Sequence, residues 1–325
     1  MSETQSPMIP FRIEPRFVTR VWGWRDLRPW FDRVAEGDPI GEVWLTGDDC
    51  EAASGPFAGR RLAEVFRAAG ELMTGPGAPD NASPLLIKIL FAREKLSVQV
   101  HPDDEMARRL GHARGKTECW YALQADPGAL VAVGLKPGTT VEKVAEGIAQ
   151  GTLESSLNMV SVEEGETIYV NAGAVHAVWP GSVLLETQQN CDLTYRMYDY
   201  GRPRELHVEK ALEALRFGTR AGRVEPRQLA DRSLLLDAEY FRIERIPVAG
   251  SRTSASLRGE ETVPRLAYLF AASGSGQISG AVFEPVELPA RGIVAVPAAS
   301  PDFVLEDRGG LDLIRITPNR PDQAR

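Results

Sequence analysis

The chain contains only four histidines, and two of them fall where they could do chemistry. In the stretch LSVQVHPDD, Gln99 and His101 stand two residues apart in an apolar run that reads as a β-strand. Both therefore project from one face, while Val98 and Val100 take the other. Glu118 opens a second apolar run, ECWYAL, which the alternation allows to pair antiparallel with KLSVQV across the excursion PDDEMARRLGHARGK. His176 follows a third run, TIYV, just beyond a turn set by Gly173 in NAGAVHAV. Two imidazoles, a carboxylate and an amide oxygen form a hard-to-borderline donor set suited to Zn2+, Mn2+ or Fe2+. Four protein donors leave a five-coordinate metal one position for water or a substrate oxygen. A lone buried histidine is more often a structural hydrogen-bonding residue than a ligand, but two histidines and a glutamate on successive strands reverse that reading. His112, in GHARG, and His207, at the start of a helical stretch, lack strand neighbours to complete a site and are read as bystanders.

The elements that must position these residues are mostly short β-rich runs punctuated by Gly, Pro and Asp: EVWLT, PLLIKILF, KLSVQV, CWYAL, ALVAVGL, TIYVNAG, SVLLETQ and LTYRMYDY. Many short strands at close spacing favour a sandwich or barrel over a doubly wound sheet. Helical periodicity is confined to residues 60–72, 140–157 and 206–217. In the second of these, Thr140 is the expected N-cap, and Glu142 puts a carboxylate in the first turn, where the helix dipole favours it. The pattern loosens around residues 218–235, which are rich in Arg, Gly and Pro, and beyond them a further set of strands carries no histidine. The expected division is therefore a metal-bearing domain over residues 1–230 and a smaller C-terminal β-sandwich-like domain, without a metal site, over 231–325.

Composition narrows the partners. Acidic residues outnumber basic ones by 45 to 37, giving a net charge of −8 without a basic block, so nucleic acid is not expected. The chain shows neither a signal-like N-terminus nor an apolar run of membrane-spanning length, and its three cysteines form no C-x-x-C. Those features predict a cytoplasmic protein with no membrane partner, acting as a monomer or weak homo-oligomer.

The spacing of Gln99, His101, Glu118 and His176 resembles the two cupin motifs, with Gln99 in place of the first histidine and Asn171 in place of the usual proline. LSVQVHPDD, GKTECWY, NAGAVHAV and YRMYDYGR, in that order, are together similar to type I mannose-6-phosphate isomerases, most of all the short bacterial form. The resemblance runs from about Thr19 and the GEVW at Gly41 to about Phe217. It implies a mainly β fold: a cupin jelly-roll barrel with helical insertions, plus a smaller C-terminal β domain. It also implies one Zn2+ per chain on Gln99, His101, Glu118 and His176, an active-site arginine at Arg196, a pocket lysine at Lys116, and Lys88 and Ser97 holding a sugar phosphate. Glu186 and Asp192 match acidic positions of the family.

Interconverting an aldose and a ketose moves a proton between adjacent carbons through an enediol, which requires an acid/base group and stabilisation of a developing oxyanion. Glu186 assisted by Lys116 is the expected base, Arg196 the oxyanion partner, and Asp192 a further substrate-binding residue. Two alternatives use the same ligands: an Fe2+ cupin dioxygenase, and a sugar-phosphate-binding cupin without turnover.

Overall fold

The computed structural model describes residues 8–77 and 81–319. Its strands are assembled into four sheets with antiparallel pairing. The chain divides into two compact units, one made of Phe17–Val43 and Leu85–Glu225, the other of Met1–Arg16, Trp44–Pro84 and Pro226–Arg325. The expected single break near residue 230 is thus replaced by a discontinuous division. Long-range pairing is the reason. Phe11–Arg12 pairs with Ile293–Val296, and the amides of Ala298 and Ala299 donate to the carbonyls of Met73 and Leu72. These bonds draw the N-terminal strand and the segment around residue 73 into the unit built by the C-terminal third.

The unit holding the predicted site residues contains two sheets. The five-stranded one runs in the order Tyr195–Tyr198, Val98–Val100, His176–Val178, Leu130–Leu135, Leu157–Ser161. The seven-stranded one runs Gly222–Val224, Thr167–Val170, Glu118–Ala125, Ser182–Gln189, Leu85–Phe91, Ile40–Trp44, Arg16–Trp24. Period-2 alternation sorts the side chains of the smaller sheet. Val98, Val100 and Ala177 pack with Val144 and Ile148 of the helix Val141–Gln150. Val131, Val133 and Val178 meet Leu90, Trp120 and Leu184 of the larger sheet. Gln99 and His176, alternating with Val98 and Ala177, belong to that inner side.

The helix Val141–Gln150 begins where the sequence places it: the Thr140 hydroxyl accepts from the Lys143 amide at 3.4 Å, and Gly151 ends it with a left-handed φ of 70°. One pairing differs from expectation. Glu118–Ala125 does not pair with the Gln99 strand but with Thr167–Val170 and Ser182–Gln189 in the opposite sheet. The excursion between them carries the helix Asp104–Arg109, capped by Asp103, and returns with the Lys116 amide bonded to the Pro102 carbonyl. Its length lets the chain cross from one sheet to the other. No helix among the described residues is long and apolar enough to cross a membrane.

The other unit packs a seven-stranded and a four-stranded sheet around a core that includes Ile246, Leu269 and Leu313 from the first and Ile278, Leu288 and Leu305 from the second. Its larger sheet buries a charge. Arg315, 2% exposed, stands opposite Glu244 in register, donates to it at 2.7 Å, and is held bidentately by Glu261 at 2.8 and 2.7 Å. Glu244 also accepts from Arg242 at 3.0 Å and has Arg232 3.6 Å away, so losing Arg315 removes its charged hydrogen bonds without leaving Glu244 wholly unpaired. Arg315→Met should therefore cost about 1.5–3 kcal/mol in urea unfolding, and a loss under about 1 kcal/mol would show that the pair adds little.

Candidate metal centre

Strand register assembles the site. In the five-stranded sheet, Gln99 is paired with His176 on one side and with Arg196 on the other, so three predicted site residues lie in one row. In the seven-stranded sheet, Glu186 is paired with Lys88 and with Trp120, and Glu118 lies two residue pairs further along, opposite Gln188. His101 sits just past its strand, where its carbonyl accepts the Gly173 amide at 2.9 Å and ties it to the turn that precedes His176. Gly173 makes that turn at a φ of 84°, and a side chain there would run into Arg216.

His101, Glu118 and His176 converge, each at most 1% exposed, with their ligand atoms all within 4.8 Å of one another. Both imidazole tautomers are set from behind. Nδ1 of His101 lies 2.8 Å from the Leu193 carbonyl and Nδ1 of His176 2.8 Å from the Ala174 carbonyl. A carbonyl only accepts, so each Nδ1 carries the proton and each Nε2 presents a lone pair, the arrangement that orients metal-ligating histidines. The two Nε2 atoms are 3.1 Å apart, and stand 3.4 Å and 3.3 Å from the Glu118 oxygens. Lone pairs so crowded in a buried place require a cation between them. The Lys116 ammonium, 2.9 Å from both His101 Nε2 and Glu118 Oε2, supplies positive charge in this structure. The residues fit a divalent metal ion.

Electrostatics follow burial and that cluster. Burial and the Lys116 charge push the His101 imidazole down to about 3, and burial lowers His176 as well, so both rings are neutral and ready to ligate. Burial works against the Glu118 charge, but the Lys116 ammonium outweighs it and holds the carboxyl well below the usual range. Glu186 goes the other way. Burial and the nearby Glu118 raise it to about 7, with Lys88 at 3.2 Å and Lys116 at 3.8 Å pulling it back. Trp120 Nε1 donates to Glu186 Oε2 at 3.2 Å and fixes the carboxylate.

A cavity of about 470 Å³ adjoins these groups. Lys88, Ser97 and Glu186 line it, as do Gln99, Asp192 and Arg196. Lys116 belongs to both places, lining the cavity while touching His101 and Glu118. Five basic side chains line the cavity against three acidic ones, a positive balance in a chain whose net charge is −8. Such a lining suits an anionic ligand.

The residues match a family model, "Phosphomannose isomerase type I, catalytic domain", over positions 11–134. A mannose-6-phosphate isomerase of Streptococcus mutans is 32% identical over 284 residues, covering 83% of this chain and 87% of that protein. This chain belongs to the type I phosphomannose isomerase family. Among solved structures, the mannose 6-phosphate isomerase of Bacillus subtilis superposes with a TM-score of 0.83 at 28% identity, over 95% of this chain and 99% of that one. The shared architecture is the cupin fold expected from the sequence. A zinc-bound mannose 6-phosphate isomerase shares the fold at a TM-score of 0.74 and 14% identity, covering 95% of this chain and 99% of that one.

Some participants of this phosphomannose isomerase site escaped sequence reasoning. Arg20, Glu42 and Arg204 also line the cavity. His207 is no bystander: its Nδ1 accepts the Arg196 amide at 3.2 Å and its own amide donates to the Arg196 carbonyl, which fixes the backbone of the cavity arginine. Only Glu42 had a visible signal, the GEVW run.

Glu118→Gln and His176→Ala should each reduce bound metal, measured by elemental analysis, from about one equivalent per chain to a small fraction of it. Full occupancy in both would remove these residues from the ligand set. With metal removed, pH also matters. Below pH 6.5 the unfolded chain protonates two histidines that the folded chain keeps neutral. Glu186 opposes this between 4.5 and about 7, but as one carboxyl against two imidazoles. The chelated protein should therefore lose stability as pH falls below 6.5, most steeply below 4.5, where the depressed Glu118 adds to the loss. Thermal unfolding across that range checks the sign.

Proposed function

We propose that this chain interconverts mannose 6-phosphate and fructose 6-phosphate by proton transfer through an enediol. The observation that carries the reading is the proximity of Glu186, a carboxyl poised near neutrality, to the buried acceptor cluster across Lys116, beside a positively lined cavity. Gln99, His101, Glu118 and His176 would hold a divalent metal, and the nitrogen-and-oxygen donor set favours zinc, which when bound polarises the sugar oxygens. The zinc bound in a mannose 6-phosphate isomerase of the same fold supports that choice.

The chain's own residues handle the proton. Glu186, fixed by Trp120 and flanked by Lys88, takes the proton from C2 of the aldose and returns it to C1 of the ketose. A carboxylate titrating near 7 suits this task, because it both accepts and releases a proton at neutral pH. Lys116 and Arg196 line the cavity and bring positive charge to the oxyanion that develops between the two transfers. Lys88, Ser97 and Asp192 complete the proposed substrate contacts.

A coupled assay on purified protein should show mannose 6-phosphate turning into fructose 6-phosphate, stopping on chelation and returning with zinc. Isomerisation indifferent to chelation would defeat the metal's part in it. Glu186→Gln should lower kcat by about 10²- to 10⁴-fold with metal content intact, whereas a wild-type rate would reassign the base.

A further inference from the structure

Past Arg196 the chain turns through Asp199, Tyr200 and Arg202 to Arg204, and this turn is held more firmly than a connecting loop requires. Asp199 is 2% exposed, and its carboxylate accepts Arg204 Nε at 2.6 Å and Nη2 at 2.7 Å while pairing with Arg202 Nη2 at 2.8 Å. Tyr200 takes a left-handed φ of 56°, a conformation that costs a non-glycine residue and persists only where its surroundings impose it. Its ring packs edge-on against Tyr198, 4.9 Å between centroids, with the Lys95 ammonium 5.1 Å above it.

The two arginines of this turn end differently. Arg202 is committed inward, donating from Nη2 to the Lys95 carbonyl at 2.7 Å. Arg204 lines the cavity, and its bidentate pair with Asp199 uses Nε and Nη2, so its Nη1 edge is uncommitted among the described residues. Arg20 makes a useful contrast. Glu42 grips it in the same two-point way, but its Nη1 is taken up by the Thr19 carbonyl at 3.2 Å. A guanidinium already locked in place has little rotamer freedom left to lose when an anion arrives, and its planar edge suits phosphate oxygens.

We propose that Arg204 is a further substrate-contacting residue of this cavity, binding the phosphate dianion of a sugar phosphate through its Nη1 edge, and that Asp199 is its positioning residue. The sugar's identity rests on the isomerase reading; the anion site does not. The tests use zinc-loaded full-length protein. Arg204→Gln should weaken inorganic phosphate binding, followed by calorimetry, by roughly 10- to 100-fold, the range for a hydrogen bond to a charged group. It should raise KM for mannose 6-phosphate by a similar factor while kcat moves far less, and Arg204→Lys should recover part of the affinity. Asp199→Asn should raise KM in the same direction by a smaller factor, and should add nothing once Arg204 is already Gln.

Phosphate affinity and KM that stay at wild-type values in Arg204→Gln would overturn the proposal. So would an Asp199→Asn effect that persists undiminished in the Arg204→Gln background, since Asp199 would then act through the fold. If Arg204→Gln failed to fold, Arg204→Lys would decide: wild-type phosphate affinity and KM count against the proposal, and an intermediate loss supports it. A wild-type protein that binds phosphate but does not turn over mannose 6-phosphate would sink the isomerase reading alone.

Discussion

Two imidazole lone pairs and an ionised carboxylate cannot share a dry pocket without positive charge among them, and the site unit is built around that constraint. Backbone carbonyls of Leu193 and Ala174 fix the protons of His101 and His176 on the far side of each ring. The lone pairs thus have nowhere to turn but toward Glu118. Lys116 answers the demand in this structure, and the same demand is what makes the place fit for a metal ion. The second carboxylate, Glu186, is held near neutrality because burial and the charge on Glu118 oppose its ionisation while the two lysines favour it. The two carboxylates are therefore coupled through one pair of cations.

Such crowding is tolerable because the surroundings are rigid. Lys88 and Glu186 are directly opposed on two strands buried along their whole length, and Gln99 is opposed to His176 in the facing sheet. Ladder hydrogen bonds, rather than side-chain packing alone, set these separations, so the charged groups cannot drift apart to relax their desolvation. The aliphatic layer of Val98, Val100 and Ala177 under Val144 and Ile148 keeps the smaller sheet from twisting its polar row outward.

Much of this was legible in the residue order. The three acceptors were found from their spacing, because strand alternation and the turn at Gly173 leave few directions for His101 and His176. The partner of ECWYAL was not, since period-2 alternation determines which face a residue occupies and says nothing about which strand lies alongside. Arg204 was invisible for a related reason: its significance comes from Asp199, and nothing in an Asp–Arg pair five residues apart announces that the carboxylate is buried. His207 was misjudged because its partner is a backbone amide, which leaves no mark in the sequence. The division was drawn as one break near residue 230 because the run GPGAPDNASP, which ends at the Pro84 boundary, reads as an ordinary loop between elements.

That winding path bears on how the molecule is made. Phe11–Arg12 is synthesised long before its sheet partner, Ile293–Val296. Roughly 280 intervening residues must be synthesised before that edge can close, a loop whose entropy is paid late. The segment bearing the acceptors is complete once Glu225 has been added. On the ribosome, the chemistry-bearing half can therefore mature while Phe11–Arg12 is still waiting for its neighbour.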